Sequence, residues 1–390
     1  MACPDSEAQA TDPTPASPPD CDTFVADLVD TIATATGDEQ QRALLLLVRK
    51  CINRQEREQM YEANGIHVLS GVVNSGDAYL TQLYALKCLG CATNDSPKLS
   101  EPTLEKLRES VREATPEELA SLVDVLQHGS EQEKDDGAML CASVATRGQP
   151  DALRDVGVVP PLIEMLKGGG ALQTLWAANA LGTLAYRNNE NRVAIAGAEG
   201  VEPMVALLRT GTEEQIHQAA RALGYIADNK ATCVEIAHDG GISPLVALVR
   251  TGTDEQKQWA AIALGNIAVN NDAISVEIAR EGGISPLVAL VRAGTDRQKQ
   301  WAVYALGKLA VSNEANRTEI ARDGGISPLV SLMRAGTDTQ KQWATFALRQ
   351  LAANKEVNHV MTKVYGDVER LLDGSKKSSN LRRIFSSWRR

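Results

Sequence analysis

Trp259, Trp301 and Trp343 stand 42 residues apart, and each opens a series at i, i+3 and i+7. The series read Trp259, Ile262, Asn266, then Trp301, Tyr304, Lys308, then Trp343, Phe346, Gln350. Two earlier series have the same register: Trp176, Asn179, Thr183 and Gln218, Arg221, Tyr225. On a helix this spacing gathers each series on one face. The chemistry on offer is recognition: rings that stack, amides that hydrogen-bond a peptide backbone, and cations. Interfaces are enriched in these residue types, above all at their anchors. The competing reading makes each Trp a wedge between neighbouring helices, since Trp is mostly buried while often showing an edge. Both stay open at this stage.

Catalysis has less support. The five histidines, His67, His128, His217, His238 and His359, fall in different stretches of the chain, and none has a recurring carboxylate partner. No phosphate-binding loop, dinucleotide fingerprint or nucleophile elbow is present. The run "KGGGA" at 167 has the glycines of a turn without the downstream Lys-Ser/Thr. Cys88 and Cys91 form the one CxxC, and no second ligand pair completes a zinc site. The expectation is a non-enzymatic protein with no cofactor and no metal. The seven cysteines are odd in number and scattered, which fits free thiols in a reducing compartment.

The elements that must position the series repeat themselves. "ISPLVALVRAGTDRQKQWAV" at 284 has near copies at 242 and 326. Leu181, Leu223, Leu264, Leu306 and Leu348 hold one place in successive copies, at intervals of 42, 41, 42 and 42. Fainter copies fall at Cys141, Leu86 and Leu45, with an insertion around "SPKLSEPTLEKL", so eight copies fit, the first and last degraded. Each central copy punctuates into three helices. Ser285 is expected to cap the second helix with Pro286 at its first position. Thr295 to Gln298 has the form of a capping box that starts the third helix, as do the boxes headed by Thr212, Thr253 and Thr337. On the third helix, Ala260, Ala263, Leu264 and Ile267 make a core arc. Ala261, Gly265 and Ala268 make a second arc of small residues suited to close approach. A unit of this size cannot bury its apolar face alone, so the copies are expected to stack into an α-solenoid.

Composition sets the frame. The 390 residues are 43% hydrophobic and 23% charged with net charge −10, and no apolar run exceeds Ala43–Val48. No membrane span or signal peptide is expected, and the acidic balance argues against a direct nucleic-acid surface. The expected location is cytoplasmic, with nuclear residence left open. Residues 1–22 hold five prolines and read as a disordered acidic leader. Residues 23–373 read as the repeat array, and 374–390 as a basic amphipathic tail. In that tail Leu381, Ile384, Phe385 and Trp388 share one face, and Arg382, Arg383, Arg389 and Arg390 surround it. Such a stretch suits an anionic membrane, a calmodulin-like groove or the chain's own acidic surface.

"GGISPLVALVR" and "WAAIALGNIAVNN" resemble the armadillo repeat, strongly over 160–354 and weakly over 22–150. The resemblance implies an all-α, right-handed superhelical solenoid whose third helices line a groove. That groove would hold a protein or peptide partner in extended form on Trp176, Asn179, Arg221, Tyr225, Trp259, Asn266, Trp301, Tyr304, Lys308, Trp343, Phe346 and Gln350. A scaffold or adaptor is the leading expectation, with a nuclear-import cargo adaptor or a membrane-peripheral adaptor as alternatives. Import adaptors place Trp and Asn four residues apart, whereas here only Asn266 keeps the Asn, and Ile262 stands where its Trp would be. The wording is nearer to the vacuolar armadillo scaffold, although Ala2 replaces the glycine that myristoylation requires. A nearby Cys3 remains as an acylation candidate.

Overall fold

The computed structural model describes residues 25–50, 54–74, 81–82, 85, 88–89, 113–269, 271–311 and 313–366, and among them every regular element is helical. The expected leader, the basic tail with Arg382, Arg383, Phe385, Trp388, Arg389 and Arg390, the copy at Leu86 and the insertion after it lie outside these residues. Cys91 does as well. The chain divides into two compact units, 1–112 and 113–390.

In the first unit, helices Val25–Thr34, Asp38–Lys50, Arg54–Glu62 and Gly65–Asn74 bury Leu28, Ile32, Leu44, Leu47, Met60 and Leu69. Two buried amides tie helix ends: Gln40 Nε2 donates to the Ile32 carbonyl at 2.9 Å, and Gln82 Nε2 to that of Val73 at 3.0 Å.

The second unit opens with helices Pro116–His128 and Glu131–Thr146. Three-helix rungs follow, ending in third helices Ala171–Ala185, Glu213–Ile226, Asp254–Ile267, Asp296–Leu309 and Asp338–Ala352, and helix Lys355–Tyr365 comes last. The anchors Leu181, Leu223, Leu264, Leu306 and Leu348 are all buried. Both expected arcs of the Asp254–Ile267 helix are buried. Full burial of a Leu or Ile side chain contributes about 1.5–3 kcal/mol, so the repeated apolar positions are the main source of cohesion.

The capping boxes form where the sequence places them. At Thr295, the backbone N–H donates to Gln298 Oε1 at 2.9 Å, and the Gln298 N–H donates back to Thr295 Oγ1 at 3.3 Å. The glutamine has a second task. Its Nε2 donates to the Asp254 carbonyl at 3.0 Å, at the start of the preceding third helix. Gln215, Gln256 and Gln340 repeat this toward Ala171, Glu213 and Asp296 at 3.0, 3.0 and 2.8 Å. Gln173 does so toward Glu131 at 3.2 Å. Buried polar groups are costly unless satisfied, and this amide uses its acceptor inside its own rung and its donor toward the rung before.

The second helix begins earlier than expected. Ile284 is its first residue and Gly283 its N-cap, so Ser285 does not cap it and Pro286 is third in the helix. Proline fits there because the first helical N–H groups lack intrahelical acceptors. The double glycine divides its labour. Gly282 adopts φ 73°, and at Gly283 a Cβ would lie 2.8 Å from Ile278 Cγ2. First helices are capped by Asn188, Asn229, Asn271, Asn313 and Asn354, each side chain accepting a backbone N–H of the first turn.

Successive third helices pack against each other along their lengths, while successive second helices meet at few positions. Small residues allow this. A Cβ on Gly182 would lie 3.1 Å from Ala222 Cα, and one on Gly265 would lie 3.2 Å from Ala305 Cα.

Candidate partner-binding face

Trp176, Asn179, Arg221, Tyr225, Trp259, Asn266, Trp301, Tyr304, Lys308, Trp343, Phe346 and Gln350 are all half-buried. Each belongs to a third helix, so its packed neighbours are the third helices before and after it. Ile262, the middle member of its series, is buried at 6% exposure and contributes to packing instead.

The aromatic members meet both within a third helix and across rungs. Tyr225 and Trp259 stack edge-on with centroids 5.0 Å apart. Further along, Trp301 meets Tyr304 at 5.8 Å, Tyr304 meets Trp343 at 4.7 Å, and Trp343 meets Phe346 at 5.8 Å, all near perpendicular. Pairs of this geometry are favourable by about 0.5–1.5 kcal/mol beyond area burial. Lys308 Nζ lies 5.5, 5.6 and 5.5 Å from the Tyr304, Trp343 and Phe346 ring centres, a cation held over aromatic faces. The rings therefore both join rungs and show part of their surface.

The amides behave differently from the sequence expectation. Asn266 Nδ2 donates to the Gly224 carbonyl at 2.9 Å, and its Oδ1 accepts the Tyr304 hydroxyl at 2.7 Å. Asn179 Nδ2 donates to Gln218 Oε1 at 3.2 Å. These groups bind neighbouring rungs rather than standing ready for a partner's backbone. Burial pushes the Tyr304 phenol up, so it stays a neutral donor to Asn266.

Arg221 Nη2 donates to the Asn179 carbonyl and to Thr183 Oγ1, both at 3.4 Å. Its Nε is buried with no hydrogen-bond partner. Burial pulls the guanidinium pKa down, against a small opposing effect of Tyr225. On the preceding turn, His217 Nδ1 lies 2.9 Å from Glu255. Burial nevertheless holds His217 below its ordinary value, outweighing the attraction of Glu255, and Arg221 adds to the depression. The imidazole is thus neutral near pH 7 and donates to the carboxylate.

Tyr186 belongs to the same surface and escapes the helical count. It is 47% exposed, stacks on Tyr225 with centroids 5.0 Å apart, and lies 5.2 Å from the Arg187 guanidinium carbon. It caps the Ala171–Ala185 helix at its C-terminus, outside the i, i+3, i+7 register. The available signal was an aromatic where later copies carry Asp228, Val269 and Val311.

Among the described residues no group of three or more His, Cys, Asp or Glu could hold a metal ion, and no helix is long and apolar enough to cross a membrane. Cys141 and Cys233 are buried, and burial pushes both thiols up to about 12. Such thiols are poor nucleophiles near neutral pH.

A family model described as the Armadillo/beta-catenin-like repeat matches residues 188–228, one rung's first to third helix. No curated protein matches the sequence. Among solved structures, the chain is similar to computationally designed armadillo repeat proteins for modular peptide recognition, at 27% identity and TM-score 0.56, covering 60% of this chain and 99% of that one. It is similar to a designed armadillo repeat protein in complex with peptide (KR)4, at 26% identity and TM-score 0.56, again covering 60% and 99%. An engineered protein at 22% identity and TM-score 0.60, covering 91% of this chain and 98% of its own, shares the fold.

Proposed function

We propose that this armadillo-type α-solenoid is a protein-binding scaffold that holds an extended partner segment along its third helices. The observation that carries the reading is the half-buried series running from Trp176 to Gln350 on successive third helices. In a stack where one layer of helices is more closely packed than the other, the closer layer lies on the inside of any bend. Third helices are that layer here. A concave wall of rings, with Arg221 and Lys308 among them, suits a segment that offers side chains at regular intervals. The similar designed armadillo repeat proteins, made for modular peptide recognition or in complex with peptide (KR)4, support a peptide-like occupant. A cytoplasmic adaptor fits this role. The tail leaves a membrane or calmodulin-like contact as a separate proposal, resting on sequence alone.

The test is selection of displayed random twelve-residue peptides on the full chain, with selected peptides re-measured against the double variant Trp301→Ser, Lys308→Ser. Loss of binding with helicity and melting temperature nearly unchanged is the expected result. Full retention of binding by the variant would move the site elsewhere. A collapse of the melting temperature would make Trp301 chiefly a joint between rungs.

A further inference from the structure

Charge on the proposed binding face does not match charge on the chain. The protein carries net charge −10, yet the charged members of the series from Trp176 to Gln350 are Arg221 and Lys308, both basic. Two other enclosed arginines of the second unit meet carboxylates. Arg192 meets Asp228 at 2.9 Å, and Arg154 reaches Asp151, Asp155 and Glu190 at 2.8, 2.9 and 3.0 Å. Arg317 has no such partner but its Nε donates to the Ala310 carbonyl at 2.8 Å, whereas Arg221 is less well satisfied. Among the described residues no carboxylate lies in ion-pair range of it, its two hydrogen bonds are long and to neutral oxygens, and its buried Nε has no acceptor.

A desolvated guanidinium without a counter-ion is unfavourable in the free protein. Its planar array of donors is matched by a carboxylate, which accepts two parallel bonds. The groups around it are suitable neighbours for such a guest. Asn179 and Thr183 are neutral, and Gln218, Tyr225 and Tyr186 add amide and ring surface. His217 is already occupied by Glu255.

We infer that the partner segment is acidic, and that Arg221 receives an Asp or Glu side chain of that segment while apolar side chains lie against the rings from Trp259 to Phe346. This rests on the scaffold reading above and specifies the chemistry of its occupant. It also sets this face apart from that of a designed relative bound to (KR)4, because a basic peptide would place like charge beside Arg221.

The experiment uses the full chain and the peptides selected from the random twelve-residue pool. Selected sequences are expected to share Asp or Glu at one fixed position. Exchanging it for Asn or Gln should weaken binding about tenfold or more, the range of a charge-assisted hydrogen bond. Arg221→Met should cause the same loss, and the two changes together should cost no more than either alone. Arg221→Lys should restore part of the affinity. The melting temperature of Arg221→Met should hold or rise, since the variant removes an unpaired desolvated charge; a merely structural arginine would lower it. Should Arg221→Met fail to fold, the peptide exchange and the Arg221→Lys variant still decide the matter. Selected peptides rich in Lys and Arg, or acidic ones indifferent to Arg221, would overturn the inference while leaving the scaffold intact. Absence of any peptide sensitive to third-helix substitution would remove both.

Discussion

Two stretches of the same solenoid use one frame for different surfaces. Between the Ala171–Ala185 and Glu213–Ile226 helices, the exposed side of the joint is polar: Asn179 bonds Gln218, and Arg221 leans on Thr183. Between the Asp296–Leu309 and Asp338–Ala352 helices it is aromatic, with Tyr304, Trp343 and Phe346 in edge contact under Lys308. On the hidden side nothing changes. Gln215 and Gln340 reach the previous third helix in the same way, at 3.0 and 2.8 Å. The frame is held by buried residues that every rung shares. The outward positions are thereby released to vary, and recognition can differ from rung to rung without rebuilding the joint.

If the frame is common to both stretches, breaking it should cost the same in each. Gln215→Ala and Gln340→Ala each remove half a capping box and one cross-rung bond, and each should lower stability by about 2–3 kcal/mol in chemical denaturation. A large inequality between them would show that the surface layer contributes to the joint.

The buried glycines that lie beneath the outward rings should show the opposite pattern, with one substitution costing different amounts along the chain. At Gly265 a Cβ would meet the Tyr304 ring at 2.6 Å, and that ring is fixed by Asn266 and Trp343. At Gly224 the nearest atom is Trp259 Cε3 at 3.4 Å, an ordinary contact. Gly265→Ala should therefore destabilise by about 1–3 kcal/mol through overpacking. Gly224→Ala should be neutral or stabilising by up to about 1 kcal/mol through helix propensity. Melting curves of the two variants test this directly.

The smallest expected effect is a pH dependence confined to the polar stretch. His217 titrates below its ordinary value in the folded state. As the pH falls below that of free histidine, the unfolded chain takes up the proton first, so stability is lost on acidification and is fully present above it. Replacing His217 with Gln should flatten the fall in melting temperature between about pH 7 and pH 5.5, whereas substitutions in the aromatic stretch should leave that slope unchanged.

The frame was legible in the sequence because it obeys fixed periods. Recurring leucines located the rungs, and Thr-x-x-Gln located the third helices. The cross-rung bond was not read, although Gln in place of Glu was its mark. Glu118 and Glu133 close boxes with Thr115 and Ser130 near the start of the second unit, and a carboxylate has no hydrogen to donate further. The outer surface was half legible. Helical spacing found the series, but whether an amide faces outward or inward depends on contacts 38 to 42 residues away, as with Tyr304 and Gly224 on Asn266. The start of the second helix was misplaced because a Ser-Pro pair looks like a cap, whereas the glycine before it satisfies the tighter steric demand beside Ile278.

The glutamine joint also bears on how such a chain changes over generations. Gln298 donates to both the main-chain carbonyl and the Oδ1 of Asp254, but Gln256 and Gln340 take only a main-chain carbonyl at the same place, so the main-chain bond does not depend on which side chain stands there. Removing residues 253–294 would bring Thr295 into the place of Thr253 and offer Gln298 the Glu213 carbonyl that Gln256 now uses. Unequal exchange between copies of the repeat therefore leaves a complete joint at the seam. A gene built this way can lengthen, shorten or reorder its rungs, carrying each rung's outward side chains along as a unit.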